Sequence, residues 1–219
     1  MPKDFGAWET VRTWHDRFRA DGTWSEIAGL LRRRCAVGGG ASPSRRRRSS
    51  IHILRQAQDE GVTSGPQAGP RGYDGNKKTK GIKRHVLTCS LGFVLASLVT
   101  AANVHDTQAA GLLFDRAARN GWAPERIKVD GIYVGARMEQ AAAAHGLDIQ
   151  VTTRERDAKG FKPLPLRWRI EATFGTLTNR SRRLTRNLEQ TPEAAEDAID
   201  IANCHRLLKA YHRTQYYIT

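Results

Sequence analysis

Two carboxylates lie in unlike surroundings within a strongly basic chain. Asp130 ends the apolar run Ile127-Lys128-Val129 and is followed by Gly131, a pattern that predicts the end of a strand. Glu171 lies in the stretch Arg167–Phe174, whose apolar residues follow helical spacing. Two such acids can share a hard divalent cation such as Mg²⁺, which takes oxygen ligands. This donor set suits phosphoryl transfer on a polyanion.

The composition predicts an anionic partner. The chain has 36 Lys and Arg against 22 Asp and Glu, a formal net charge of +14, which favours nucleic acid, with a membrane surface as the competing interpretation. No run of about 18 apolar residues and no apolar signal core is present, so a cytoplasmic protein is expected. The three cysteines are far apart, which argues against a disulfide framework and a zinc site.

The chain divides into three parts. Residues 1–34 show two amphipathic helical patterns separated by Asp21-Gly22, which predicts a helical hairpin that serves either packing or DNA contact. Residues 35–70 contain Gly38-Gly39-Gly40 and four consecutive arginines with little apolar periodicity, which predicts a basic flexible linker. Residues 71–219 show the patterns of a packed domain.

The packed domain combines strands with helices. Two β-branched stretches, 83–89 and 93–99, predict a hairpin. The remaining predicted elements are a helix over 107–120, a strand over 127–129, a helix over 134–145, a strand over 148–152, and helices over 166–184 and 192–211. Antiparallel strands followed by alternating helices and strands predict an α/β fold with a mixed sheet.

Four blocks of sequence resemble the signature of bacterial insertion-sequence transposases, in the group named after insertion sequence five. The blocks are Gly69–His85, Val99–Asp106, Val129–Tyr133 and Arg167–Phe174. They occur in the order found in that group, and the resemblance runs from about Gly69 to Arg213. A weaker resemblance covers Pro2–Arg34, as expected of a helical N-terminal remnant of a truncated copy.

The resemblance implies a ribonuclease H-like catalytic domain over 71–219 with an Asp-Asp-Glu set of acids. Asp130 corresponds to the second acid and Glu171 to the third, and together they would hold Mg²⁺ or Mn²⁺. The implied partners are double-stranded DNA, as transposon ends and target, and a second copy of the chain in a homodimer. The implied location is the bacterial nucleoid.

The first acid of this set is missing from its expected place. The family's opening strand falls near His52, but the stretch Ile51–Gln58 does not resemble it. Asp59 is the candidate substitute, although it needs a shift in strand register to reach the metal. We interpret the arginine-rich, patternless composition of residues 35–60 as the product of a frameshift or of divergence.

Basic residues near the predicted site are candidates for DNA contact, with ordinary solvated surface charge as the alternative. The candidates are Lys77, Lys78, Lys80, Lys83, Arg84, Arg167, Arg182 and Arg183.

Three functions fit this pattern. The leading hypothesis is a transposase that cleaves and joins DNA strands with Mg²⁺, and the missing acid puts its activity in question. The second is a non-catalytic DNA-binding remnant of such an enzyme. The third is a hydrolytic nuclease on the same core. An acid on the opening strand opposite Asp130 would separate the first from the second, and terminal inverted repeats beside the gene would separate the third.

Overall fold

The computed structural model describes residues 6–38, 51–59, 71–75, 78–122, 124–130, 135–152, 165–185, 187 and 189–216. The chain begins with two helices, α1 (Trp8–Ala20) and α2 (Thr23–Gly38). Gly22, with a φ of 77°, turns the chain between them. The rings of Phe18 and Trp24 meet edge to face at 5.5 Å. The predicted helical hairpin is confirmed.

A mixed sheet of six strands forms the centre of the described structure. The strands are β1 (Ile51–Asp59), β2 (Gly72–Asp74), β3 (Thr79–Thr88), β4 (Val94–Ala101), β5 (Arg126–Asp130) and β6 (Asp148–Thr152). Their order is β2-β3-β1-β5-β6, and β4 also pairs with β3. β1 runs antiparallel to β3 but parallel to β5, and β5 runs parallel to β6. The predicted mixed α/β architecture is confirmed.

Helices cover both faces of this sheet. They are α3 (Asp106–Arg119), α4 (Ala136–Ala144), α5 (Pro165–Arg180), α6 (Arg182–Thr185) and α7 (Pro192–Tyr216). On one face, Leu113 of α3 and Met138 of α4 pack in one core cluster with Ile127 of β5. On the other face, α5, α6 and α7 pack over Val86 and Val99 in a second cluster. This layering follows from apolar residues on alternate positions of the strands.

The N-terminal hairpin packs against the last helix. Ala28 of α2 shares a small core cluster with Cys204 and Leu207 of α7. Arg32, also on α2, is buried and donates a hydrogen bond of 2.5 Å to the carbonyl oxygen of Val94. The hairpin is therefore tied to the sheet as well as to α7.

The segment expected to be a linker contains a strand. β1 pairs with β3 from His52 to Asp59 and with β5 at Ile51 and His52. Pairing on both edges provides backbone hydrogen bonds without any requirement for apolar side chains. The prediction of a flexible linker over 35–70 therefore does not hold for residues 51–59, which occupy a central place in the sheet.

Side chains complete the hydrogen bonds at the outer edge of β4. Asn203 of α7 both accepts from the Val94 N–H and donates to the Val94 carbonyl, at 3.0 Å each. Glu196 accepts from the Val99 N–H at 2.8 Å, and Arg116 donates to the Ser97 carbonyl at 2.7 Å. These bonds satisfy an edge that would otherwise be open to pairing with another strand.

None of the described helices is long and apolar enough to cross a bilayer.

Candidate active site and nucleic-acid interface

The two candidate acids lie on a strand and a helix that both contact β1. Asp130 is the last residue of β5, level with Thr152 of β6. Glu171 lies near the middle of α5, a helix that contacts β1. The side chains of Asp130 and Glu171 are outside the described part of the structure, so their separation stays a prediction. The elements that carry the two acids both adjoin β1.

The part of α5 that follows Glu171 is fixed to the sheet. Phe174 and Leu177 are buried in the same cluster as Val86. Thr173 is buried, and its hydroxyl donates a hydrogen bond of 3.4 Å to the carbonyl of Gly92, in the turn between β3 and β4. Position 171 therefore lies one helical turn before a well-packed segment, which gives its backbone a defined place.

The register of β1 locates the position of the missing acid. Ile51 pairs with Ile127 and His52 with Lys128, and two further steps along these parallel strands bring Leu54 level with Asp130. Leu54 is also paired with Val86 of β3, which is buried against α5. The position beside Asp130 on this face is therefore a leucine.

Asp59 lies at the other end of β1. It is paired with Gly81 of β3, five residues beyond Leu54. At about 3.3 Å per strand residue, this is about 16 Å from the position level with Asp130. The side chain of Asp59 is outside the described part, but its backbone position argues against the candidate role as a substitute for the first acid.

Lys83 is buried between two carboxylates. Its Nζ lies 3.4 Å from Asp106 Oδ1 and 3.7 Å from Asp74 Oδ2, and donates a hydrogen bond of 2.9 Å to the Val104 carbonyl. Only 5% of Lys83, 3% of Asp74 and 2% of Asp106 is exposed. The expectation that Lys83 contacts DNA is corrected, because its ammonium group is buried and forms ion pairs with Asp74 and Asp106.

This buried triad joins two of the sequence blocks described above. Asp74 belongs to the Gly-Tyr-Asp stretch at β2, and Asp106 begins α3 just after His105, whose Nδ1 accepts the Thr107 N–H. Asp74 and Asp106 were placed from sequence only within the blocks Gly69–His85 and Val99–Asp106. Lys83 shares its face of β3 with Gly81 and His85, which are also buried.

Arg84 is buried on the opposite face of β3. It is 2% exposed, and its Nη1 donates a hydrogen bond of 2.6 Å to the carbonyl of Leu184 in α6. Burial lowers the pKa of Arg84 to about 10, and the charge of Glu189 opposes this shift. The expectation that Arg84 contacts DNA is also corrected, because its guanidinium is buried and hydrogen-bonds α6 to the sheet.

The remaining basic candidates differ in their exposure. Lys78, Lys80 and Arg182 are exposed. Arg183 is exposed too, and its Nη2 donates to Glu189 Oε2 at 3.0 Å. Lys77 and the side chain of Arg167 lie outside the described residues. The surface that stays open to a phosphate therefore includes the turn of the β2–β3 hairpin and the short helix α6.

Among the described side chains, no group of three or more His, Cys, Asp and Glu residues is arranged to hold a metal ion. The two candidate acids are not part of that set. The support for a metal site at Asp130 and Glu171 is therefore the donor chemistry of these residues and the positions of β5 and α5 beside β1.

Comparison with known proteins identifies the family. The model of the transposase DDE domain matches residues 56–207. The match begins inside β1, after the position level with Asp130, and ends within α7. It includes both candidate acids and the buried triad. No curated protein matches the chain. Since the match covers more than half of the sequence, the chain belongs to the family of transposase DDE domains.

Proposed function

We propose that this protein is a DNA transposase of the insertion-sequence-five group, with a ribonuclease H-like core in which Asp130 and Glu171 are two of the three catalytic acids. The observation that carries the proposal is the position of β1. It has antiparallel β3 on one side and parallel β5, which ends in Asp130, on the other. Helix α5, which bears Glu171, contacts β1. This arrangement supports a site at the junction of β1, β5 and α5.

The donor types fit a hard divalent cation, since carboxylate oxygens are the ligands that Mg²⁺ and Mn²⁺ take. Asp130 and Glu171 would hold it. When bound, such a metal supplies Lewis-acid stabilisation of the phosphate and an activated oxygen nucleophile. The protein's own contribution is to fix the two acids on rigid elements, since buried Phe174 and Leu177 hold the segment after Glu171 on the sheet.

We also propose that the chain has low strand-transfer activity. The residue level with Asp130 on β1 is Leu54, and the nearest acid on that strand is Asp59, at its far end. A metal held by two carboxylates instead of three is bound more weakly and in a less defined place. This observation favours a second candidate function, that of a DNA-binding transposase remnant without catalysis.

DNA binding and nicking assays test the proposal. A duplex that carries the inverted repeats flanking the gene is compared with an unrelated duplex of equal length. We expect salt-sensitive binding to both duplexes. We also expect weak nicking in Mn²⁺ that disappears in Asp130→Asn and in Glu171→Gln. Absence of binding would overturn the proposal. Binding without any nicking would favour the non-catalytic remnant, and hydrolysis without strand joining would favour a nuclease.

A further inference from the structure

Three successive residues of β2 have different environments. A Cβ added to Gly72 would lie 2.0 Å from Asn103 Oδ1, so this position has no room for a side chain. Asp74 is buried in the triad with Lys83 and Asp106. Tyr73, between them, is 58% exposed. Gly72 and Asp74 are explained by packing and by buried charge, whereas packing gives no reason for an aromatic ring at Tyr73.

The base of the β2–β3 hairpin is held firmly. Lys83 of β3 forms an ion pair with Asp74 of β2. The same ammonium group donates a hydrogen bond to the carbonyl of Val104, which precedes α3. Gly72 is paired with Gly81 and Asp74 with Thr79. The backbone that carries the exposed ring is therefore held in place, which lowers the entropy lost when a ligand stacks on the ring.

Positive charges adjoin the exposed ring. Tyr73 is paired with Lys80 across the two strands, and cross-strand partners project from the same face of a sheet. Lys80 is exposed, and so is Lys78 at the turn of the hairpin. Lys78 has a φ of 52°. Among the described residues other than glycine, it is the one with a positive φ. Such a conformation is disfavoured for lysine and is common at functional turns.

An exposed aromatic ring flanked by lysines suits a nucleic acid with an unpaired base. The ring stacks on the base without regard to sequence, and the lysines neutralise the adjoining phosphates. The interior of a paired duplex offers phosphates but no free base face. An acidic peptide offers charge but no stacking partner. The chemistry therefore favours a DNA end or junction at which a nucleotide leaves the stack.

We propose that the β2–β3 hairpin binds DNA at an unpaired nucleotide, with Tyr73 stacked on the base and Lys78 and Lys80 on the neighbouring phosphates. This inference rests on the proposed function, because DNA is the partner that it specifies.

A fluorescent base analogue tests the inference with the full chain. A duplex with a short 3′ overhang carries 2-aminopurine as its unpaired base, and the same duplex without an overhang serves as the reference. We expect the protein to quench the 2-aminopurine. Tyr73→Ala is expected to abolish this quenching and to weaken binding of the overhang DNA by about tenfold, since stacking on one base is worth ~1–3 kcal/mol. Binding of the blunt duplex should not change.

Control variants separate stacking from other effects. Tyr73→Phe keeps the ring and should behave as the wild type. Trp8→Ala removes another aromatic side chain, 53% exposed on α1, and should change neither signal. Equal quenching and affinity in wild type and Tyr73→Ala would overturn the inference while salt-dependent duplex binding left the proposed function intact. Absence of binding to either DNA would overturn both. Tyr73-dependent binding of poly-glutamate at similar affinity would overturn it in favour of an acidic protein partner.

Discussion

The Nζ of Lys83 lies 3.4 Å from Asp106 Oδ1, inside the protein. Asp74 approaches the same ammonium group from β2. The three residues are 9 to 32 positions apart in sequence and come from a hairpin and a helix start, so their charges bring these elements together. Removal of Lys83 would take a positive charge away from two buried carboxylates.

Lys83→Met is expected to destabilise the protein strongly, because both buried carboxylates then lose their ion pair with Lys83. Loss of one partner from a buried ion pair costs about 3–5 kcal/mol. Urea denaturation followed by circular dichroism measures the change. Lys80→Met is the matched control on the same strand, and its exposed side chain predicts a change within about 0.5 kcal/mol. Equal denaturation midpoints for the two variants would contradict a role for the triad.

A double substitution tests the exposed lysines of the β2–β3 hairpin. Lys78→Ala with Lys80→Ala should make the plot of log affinity against log salt less steep, by about 0.9 for each phosphate contact that is lost. Fluorescence anisotropy with a labelled duplex over a range of salt concentrations gives the slope. Lys209→Ala removes an exposed lysine on α7 and is expected to leave the slope unchanged. A slope that is the same in all three proteins would place the DNA surface elsewhere.

Asp200 predicts a pH dependence of stability. Burial raises the pKa of Asp200 to about 7, against the opposing attraction of Arg32. In the unfolded chain an aspartate has a pKa of about 3.9. Between these values the folded protein holds more protons than the unfolded chain, so the contribution of Asp200 to stability falls as pH rises from about 4 to 7.

The variant Asp200→Asn should therefore be more stable than the wild type at pH 8, with little difference near pH 4. The gain is at most about 4 kcal/mol, at 1.36 kcal/mol per pKa unit. Denaturation at both pH values measures it. Asp148→Asn, at an exposed aspartate on β6, serves as the control. An Asp200→Asn protein whose stability follows that of the wild type at every pH would show that this carboxyl is not the source.

Periodicity predicted most of the fold correctly. The strands β3 to β6 and the helices α3 to α5 fall close to their expected ranges, because their apolar residues repeat at spacings that match one buried face. The break at Ser181, which separates α5 from α6, was not predicted. β1 was missed, since its polar residues Gln56 and Gln58 give no strand pattern and the strand depends on pairing with distant β3 and β5.

The strand and the helix that carry the two candidate acids were predicted from sequence. Asp130 and Glu171 lie in sequence blocks that are distinctive by themselves, so their elements could be placed from sequence. The burial of Lys83 and Arg84 could not be predicted from sequence. It depends on Asp106 and on the Leu184 carbonyl, which are far away along the chain. Lysines and arginines are mostly exposed, and composition alone favours a solvated or DNA-contacting role.

The strand register offers a way to rebuild the missing acid. Leu54 is the residue of β1 that comes level with Asp130, and its partner Val86 is buried on the face covered by α5. Leu54→Asp would therefore place a carboxylate where the proposed metal site lacks one. Arg55→Asp is the matched control, because neighbouring strand residues project to opposite faces of the sheet.

Mg²⁺-dependent nicking of transposon-end DNA by the wild type, Leu54→Asp and Arg55→Asp shows whether Asp130 belongs to a metal site that lacks its third carboxylate. We predict little nicking by the wild type and by Arg55→Asp. We expect at least about tenfold more by Leu54→Asp, because the third carboxylate completes the metal site. The added Asp130→Asn substitution should remove this gain. Robust nicking by the wild type that persists in Asp130→Asn would contradict the account, since acids other than those proposed here would then perform the reaction.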